Sequence, residues 1–220
     1  MKARPAEPLK ATPPTHRAQR GALNARQALI LIALLFLAPV VTAWLVHKSV
    51  EHGGWTGHTT NQGTLIQPLR PLKLPAGLLD AKGAPVPETF LRGKWTLLYI
   101  GHGACAEACR KSIFTLRQVR LAQGENMRRV QRLYLAIDTP AAQLRQTQTD
   151  YPALAVALVP PPQAEALAPL FDLDGTPMQK AERVYLVDPL GNLMMYYRPG
   201  ADPRGIIKDL ERLLKYSHVG

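Results

Sequence analysis

A chain of 220 residues with a formal charge of +11 and 46% hydrophobic residues is one ordinary domain or one domain with attachments. Six basic side chains against Glu7 in residues 1–26 account for +5 of that charge, and the remaining +6 is spread through short segments. With no single basic stripe, nucleic acid is excluded as the expected partner, and the excess suits anionic lipid headgroups or an acidic partner.

Residues 1–27 carry Pro5, Pro8, Pro13 and Pro14 and no apolar periodicity, the pattern of a solvated, disordered basic tail. From Ala28 to Val46 nineteen residues pass without a charge, about 28 Å of helix, which matches the thickness of a bilayer core. Pro39 would kink such a helix without forbidding it. Two readings compete: a cleaved signal peptide with Val41 and Ala43 at the small-residue positions, or an uncleaved signal anchor. The long basic region in front and the full spanning length favour the anchor. The tail is strongly positive, whereas Lys48 and Glu51 cancel after the span, so the N-terminus is expected in the cytoplasm and the rest outside it. In a bacterium that means a single-pass inner-membrane protein with a periplasmic domain, in a compartment where unpaired thiols are oxidised and nucleic acid is lacking.

Residues 47–70, dense in Gly, Thr and Pro, read as a juxtamembrane linker, and residues 71–217 as the folded domain. The domain opens with two short strand-like pieces around an Asp80–Gly83 turn, then a turn at Arg92-Gly93-Lys94 and a buried strand at 95–100. Apolar positions at three and four predict a helix from about Ala106 to Ala122, broken at Gly124-Glu125-Asn126. Val130–Asp138 is a second buried strand, and Thr139-Pro140 starts a helix with Leu144 on its apolar side. "ALAVALV" (Ala153–Val159) is a strand by length and a helix by alanine content, and a short helix follows at Gln163–Leu170. Strands at 183–188 and 193–197 form a hairpin through Asp188-Pro189-Leu190-Gly191-Asn192. A helix from Pro203 to Tyr216 closes the chain with Ile206, Ile207, Leu210, Leu213 and Leu214 in one stripe. This order predicts an α/β thioredoxin-like sandwich with a central mixed sheet, preceded by one transmembrane helix. The exported part is large enough to bury a core without a disulfide staple.

The chemistry centres on "YIGHGACAEACRKSIFTL", residues 99–116, which holds both cysteines of the chain. Cys105 falls in the turn between a buried strand and a helix, near amides whose partial positive charge favours a thiolate, so it is the natural nucleophile. Cys109 is four residues on, with its Cβ about 5–6 Å away on the same face. The spacing suits a disulfide, or two soft ligands on one metal ion. A structural disulfide or two buried thiols is the plainer alternative, although so short a loop removes little unfolded-chain entropy. His102, three before Cys105, could swing toward the sulfurs as a further ligand, or stand as an ordinary loop histidine. His47, His52 and His58 lie in the linker, where nothing fixes a geometry. Met194 and Met195 alternate in a strand, so one belongs to the core.

"LDAKGAPVPETFLRGKWTLLYIGHGACAEAC", "LYLAIDTP" and "VYLVDPLGNLMMYY" resemble the Sco/SenC family of membrane-anchored, thioredoxin-like proteins from about Pro71 to Tyr216. The resemblance implies assistance in assembling a copper site of cytochrome c oxidase, with a subunit of that oxidase or another exported thiol or copper protein as partner. It also implies copper held by two cysteines, at Cys105 and Cys109 here, and by a distant histidine. That histidine has no counterpart: its place falls at Lys180 or a neighbour, and no histidine lies between His102 and His218. The proline usual after each cysteine is replaced by Ala106 and Arg110. A lysine at the lost site would favour thiolates and repel Cu(I), tilting the pair toward thiol chemistry. The expected function is therefore a Sco/SenC-like assembly factor using thiol–disulfide exchange or transient Cu(I) binding. A general exported thiol–disulfide oxidoreductase, or a membrane-tethered interaction module without chemistry, are the alternatives.

Overall fold

A computed structural model describes residues 24–51 and 60–217, which divide into one unit up to Thr59 and a second from Thr60. Most of the basic tail, together with His52 and His58, lies outside the described residues.

The first unit is helix α1, Ala25–Glu51. The helix extends beyond the uncharged stretch at both ends, and residues 25–49 are long and apolar enough to cross a membrane. Pro39 lies inside it, and the Thr42 hydroxyl donates to the carbonyls of Ala38 at 2.8 Å and Pro39 at 3.0 Å.

The second unit is built on a six-stranded sheet. Its strands are β1 (Thr64–Pro71), β2 (Trp95–His102), β3 (Val130–Ile137), β4 (Ala155–Val159), β5 (Val184–Val187) and β6 (Asn192–Tyr197). They lie in the order β1-β6-β5-β2-β3-β4. The β2–β3 and β3–β4 pairs are parallel, while β2–β5, β5–β6 and β1–β6 are antiparallel. Helices α2 (Glu107–Ala122), α3 (Ala141–Asp150), α4 (Pro161–Phe171) and α5 (Pro203–Tyr216) connect and cover it. This is the expected thioredoxin-like sandwich around a mixed sheet. β2 and β3 read as near-continuous apolar runs because both their faces are covered.

Two cores result. On one face Leu98, Ile100, Leu133, Leu135 and Tyr185 pack with Leu167 and Phe171 of α4. On the other, Leu97, Tyr99, Tyr134 and Leu186 pack with Ile113, Leu116 and Val119 of α2 and Ile206, Leu210 and Leu214 of α5. The three-and-four spacing legible in α2 and α5 is the seam that buries them.

The structure corrects the expected linker at its C-terminal end: residues 64–71 are strand β1, paired with β6 from Thr64↔Tyr196 to Pro71↔Asn192. Ile66 is its one fully buried residue, so no alternation marks it, and its prolines are tolerable only on an edge strand. The segment before it is clamped by Asp209 of α5, whose buried carboxylate accepts from the Gln62 amide at 2.8 Å, the Gly63 amide at 2.8 Å and the Tyr197 hydroxyl at 3.2 Å. The two strand-like pieces around Asp80 are a tight turn with one bridge, Leu79 to Pro85, in which Asp80 accepts from the Lys82 and Ala84 amides. Leu79 also bridges to Leu158, which covers part of the free edge of β4. The alanine-rich run at 153–159 resolves as β4, because its residues pair with β3 from Leu133↔Ala155 to Ile137↔Val159; tertiary pairing overrides alanine's propensity there.

Candidate functional site

β2 runs into Gly103, which takes φ 65°, a conformation cheap only for glycine, and its amide donates to the Ile137 carbonyl at 2.8 Å. The chain then turns through Cys105 and enters α2 with extended Ala106 at the cap and no side chain capping the first turn. Cys105 is held by its backbone: its amide donates to Gln143 Oε1 at 3.1 Å, and its carbonyl accepts from Gln143 Nε2 at 3.2 Å and Arg110 Nη1 at 3.0 Å. Cys109 occupies the first turn of α2, and the two cysteines are joined as a disulfide with Cα atoms 5.2 Å apart. This is the oxidised pair that the spacing allowed.

Both residues are largely covered, Cys105 at 4% exposure and Cys109 at 7%. Their environments differ. Cys105 lines a cleft of about 250 Å³ with Arg110, Ile113, Gln143, Gln146, Thr147, Asp150 and Tyr151. Cys109 turns toward the sheet, where the Tyr134 hydroxyl lies 3.7 Å from its Sγ; since a disulfide sulfur has no proton, the phenol donates. Burial pushes the Tyr134 pKa up, so this donor stays protonated at neutral pH. Its ring stacks on Tyr99 at 6.0 Å between centroids, and the Tyr99 pKa is pushed up to about 12, first by burial and then by the charge of Glu182. Gly101 makes room for the phenol: a Cβ there would lie 2.5 Å from the Tyr134 hydroxyl oxygen.

His102 stands beside Asp138. Its Nε2 lies 3.5 Å from Asp138 Oδ2, with both side chains about half exposed. The register explains the pairing, since His102 ends β2 opposite Ile137 and Asp138 follows at once. Lys180 lines a separate cleft with Asp174, Thr176, Arg183 and Arg198, whereas Cys105 faces α3. Of Met194 and Met195, Met195 is the buried one, as the alternation required. Among the described residues no group of three or more His, Cys, Asp or Glu side chains could hold a metal ion. Sequence reasoning missed Gln143, Arg110 and Tyr134. Gln143 and Tyr134 lie 38 and 25 positions from the cysteines they contact, and only the fold brings them there.

A strand, a cysteine-bearing turn and a helix whose first turn closes the disulfide, set in a mixed sheet between helices, define a thioredoxin-like protein. The chain belongs to the family of the transmembrane-like, thioredoxin-like C-terminal domain, which matches residues 95–217. Among solved structures, copper-bound ScoI of Bradyrhizobium japonicum is 22% identical, with a TM-score of 0.52, covering 64% of this chain and 98% of that one. Copper-bound ScoI of Arabidopsis thaliana is 20% identical, with a TM-score of 0.56, covering 66% and 99%. BsSco, described as a Sco-family cytochrome c oxidase assembly protein with a disulfide switch, is 15% identical, with a TM-score of 0.50, covering 70% and 100%. At these identities the likeness is one of fold. No curated protein sequence matches this chain.

Proposed function

We propose that this chain is a membrane-anchored, Sco/SenC-like assembly factor that acts by thiol–disulfide exchange at Cys105 and Cys109 and serves a copper site of a respiratory oxidase. The observation that carries this reading is the asymmetry of the pair, Cys105 facing a cleft and Cys109 facing the Tyr134 phenol. In the dithiol form the Cys105 thiolate attacks a client disulfide and forms a mixed disulfide, releasing one client thiolate. Cys109 then displaces the second client sulfur, which leaves a client dithiol and the Cys105–Cys109 disulfide. Two electrons and two protons from a dithiol donor restore the starting state. Freeing the sulfur pair of a client is what a copper ion needs before it can bind there.

The Sco-fold neighbours hold copper, so Cu(I) as cargo is the natural second mode. Two thiolates released by reduction suit Cu(I) in a linear arrangement; among the described residues no group of three ligands for a metal ion is gathered, and His102 stands 3.5 Å from Asp138. We take thiol exchange as the main chemistry, which the cleft beside Cys105 supports, and the same pair also suits the broader reading of a general exported oxidoreductase. We assign residues 1–27 to a cytoplasmic tail, 28–46 to the anchor, and the chain from about residue 60 to a periplasmic domain.

The test uses the full chain in detergent or nanodiscs. Cys109→Ser should accumulate mixed disulfides with a purified oxidase copper-site domain in its disulfide form, and Cys105→Ser should accumulate none. Capture of many unrelated disulfide proteins at equal rates selects the general oxidoreductase. Anaerobic Cu(I) titration against a chelator of known affinity measures the cargo mode. Full function of a Cys105→Ser, Cys109→Ser double variant would leave only an interaction module.

A further inference from the structure

Arg132 stands in the middle of β3, opposite Leu97 of β2. Alternation along the strand puts it on the same face as Val130 and Tyr134, the face that α2 covers. It is only 4% exposed, and among the described residues neither its Nε nor its Nη1 has a hydrogen-bond partner. Arginine is rarely buried without a paired anion, because a desolvated, uncompensated charge is strongly unfavourable.

The surroundings add to the charge. After burial itself, Arg120 and Arg117 are the groups that push the Arg132 pKa down, to about 10. Arg120 is fixed nearby, its Nε donating to the Val130 carbonyl at 2.7 Å, two residues from Arg132 on the same strand face. Arg117 is exposed and lies one turn earlier on α2. The Trp95 indole N–H, on the residue paired with Val130, is also buried without an acceptor. Tyr151 works the other way and favours the charged form of Arg132, and the Val130 carbonyl serves Arg120; among the described residues the place still collects donors and positive charge and leaves Arg132 Nε and Nη1 and the Trp95 indole N–H without an acceptor.

We propose that Arg132, with Arg117 and Arg120, forms a binding site for a small oxyanion, inorganic phosphate or sulfate, beneath the C-terminal half of α2. A ligand made of acceptors satisfies the groups left without one, and guanidinium matches the paired oxygens of a tetrahedral oxyanion. Burial of Arg132 limits the occupant to a compact ion, since a bilayer surface or a peptide backbone cannot reach it. The exposed Arg117 closes over the ion from the solvent side.

Calorimetric titration of the full chain in detergent, in chloride buffer, with inorganic phosphate tests the site. The wild-type chain should show saturable one-site binding and a thermal midpoint that rises with phosphate. Arg132→Met should weaken binding by at least roughly tenfold, about 1.4 kcal/mol. Because Arg132→Met alters a buried position, Arg117→Gln at an exposed position is the second variant; it should weaken phosphate binding severalfold while leaving the midpoint in chloride unchanged. Absence of saturable phosphate binding by the wild type, or unchanged binding by Arg117→Gln, overturns the proposal. A soluble short-chain phosphatidylglycerol that binds more tightly than phosphate would assign the site to a lipid headgroup and overturn it as well.

Discussion

Gly101→Ala probes the contact between the sheet and the disulfide. The added Cβ would lie 2.5 Å from the Tyr134 hydroxyl oxygen, 2.7 Å from its Cε2 and 3.0 Å from its Cζ, all inside van der Waals contact. Tyr134 cannot swing away freely: it is fully buried, stacked on Tyr99 and in contact with Cys109 Sγ. The backbone of Gly101 is held in turn by its parallel pairing with Ala136. Overpacking of this kind costs about 1–3 kcal/mol, and with three close contacts on a pinned ring we expect the upper half of that range. For a domain of this size the thermal midpoint should fall by about 4–12 °C. Tyr134→Phe removes the shortest contact and leaves the two ring contacts, so the double variant should recover about 1 kcal/mol, read as a coupling energy from a double-mutant cycle. The assay is urea denaturation of all four proteins with the disulfide intact. A cost below about 0.5 kcal/mol for Gly101→Ala, or no coupling to Tyr134→Phe, would refute the packing argument.

Asp209→Asn should destabilise the domain by about 1–3 kcal/mol, because the buried acceptor loses its charge and the amide turns a donor toward the Gln62 amide in place of the oxygen that accepts from it at 3.0 Å; chemical denaturation measures it, and a loss under about 0.5 kcal/mol contradicts the clamp. The pKa values of Tyr99 and Tyr185 are pushed up to about 12 by burial, above the ordinary value of 10.0. Their neutral forms therefore contribute stability that is whole below pH 10 and lost as pH rises from 10 through 12; ultraviolet titration showing both rings ionised near pH 10 in the folded chain would contradict this. His102→Ala should leave the Cu(I) affinity of the reduced cysteine pair unchanged, since His102 faces Asp138; a clear loss in the chelator competition would show that the imidazole does reach the metal.

Where burial is two-sided or strictly periodic, the sequence was a good guide. β2, β3, the β5–β6 hairpin and α5 announce themselves because an apolar run, an Asp-Pro-x-Gly turn and a five-residue stripe each have one structural solution. β1 did not, because an edge strand with Ile66 as its single buried residue carries no alternation, and its prolines argue for loop unless the partner strand is known. At the site, the sequence located the cysteines on the helix's first turn and left their state open between disulfide and metal; the folded chain has the disulfide. The side chains around them were hidden for a different reason. Tyr134 reads as one more core residue of a buried strand, and Gln143 as a polar position on a helix, until β3 and α3 are set beside α2. Arg132 is the opposite case, a charge inside an apolar strand run, visible in "VQRLYLAID" but silent about whether it is paired.

The sheet order also governs how the domain would respond to mechanical load. A pull from the N-terminal side enters at Gln62 and Gly63 and is met first by the Asp209 carboxylate, then by the β1–β6 ladder at the rim. β6 and β5 stand between that rim and β2, so peeling β1 away would have to pass through two more strands before it reached the disulfide-bearing turn at Cys105. A load on the first strand and the geometry of the sulfur pair are thus kept on different strands of one sheet.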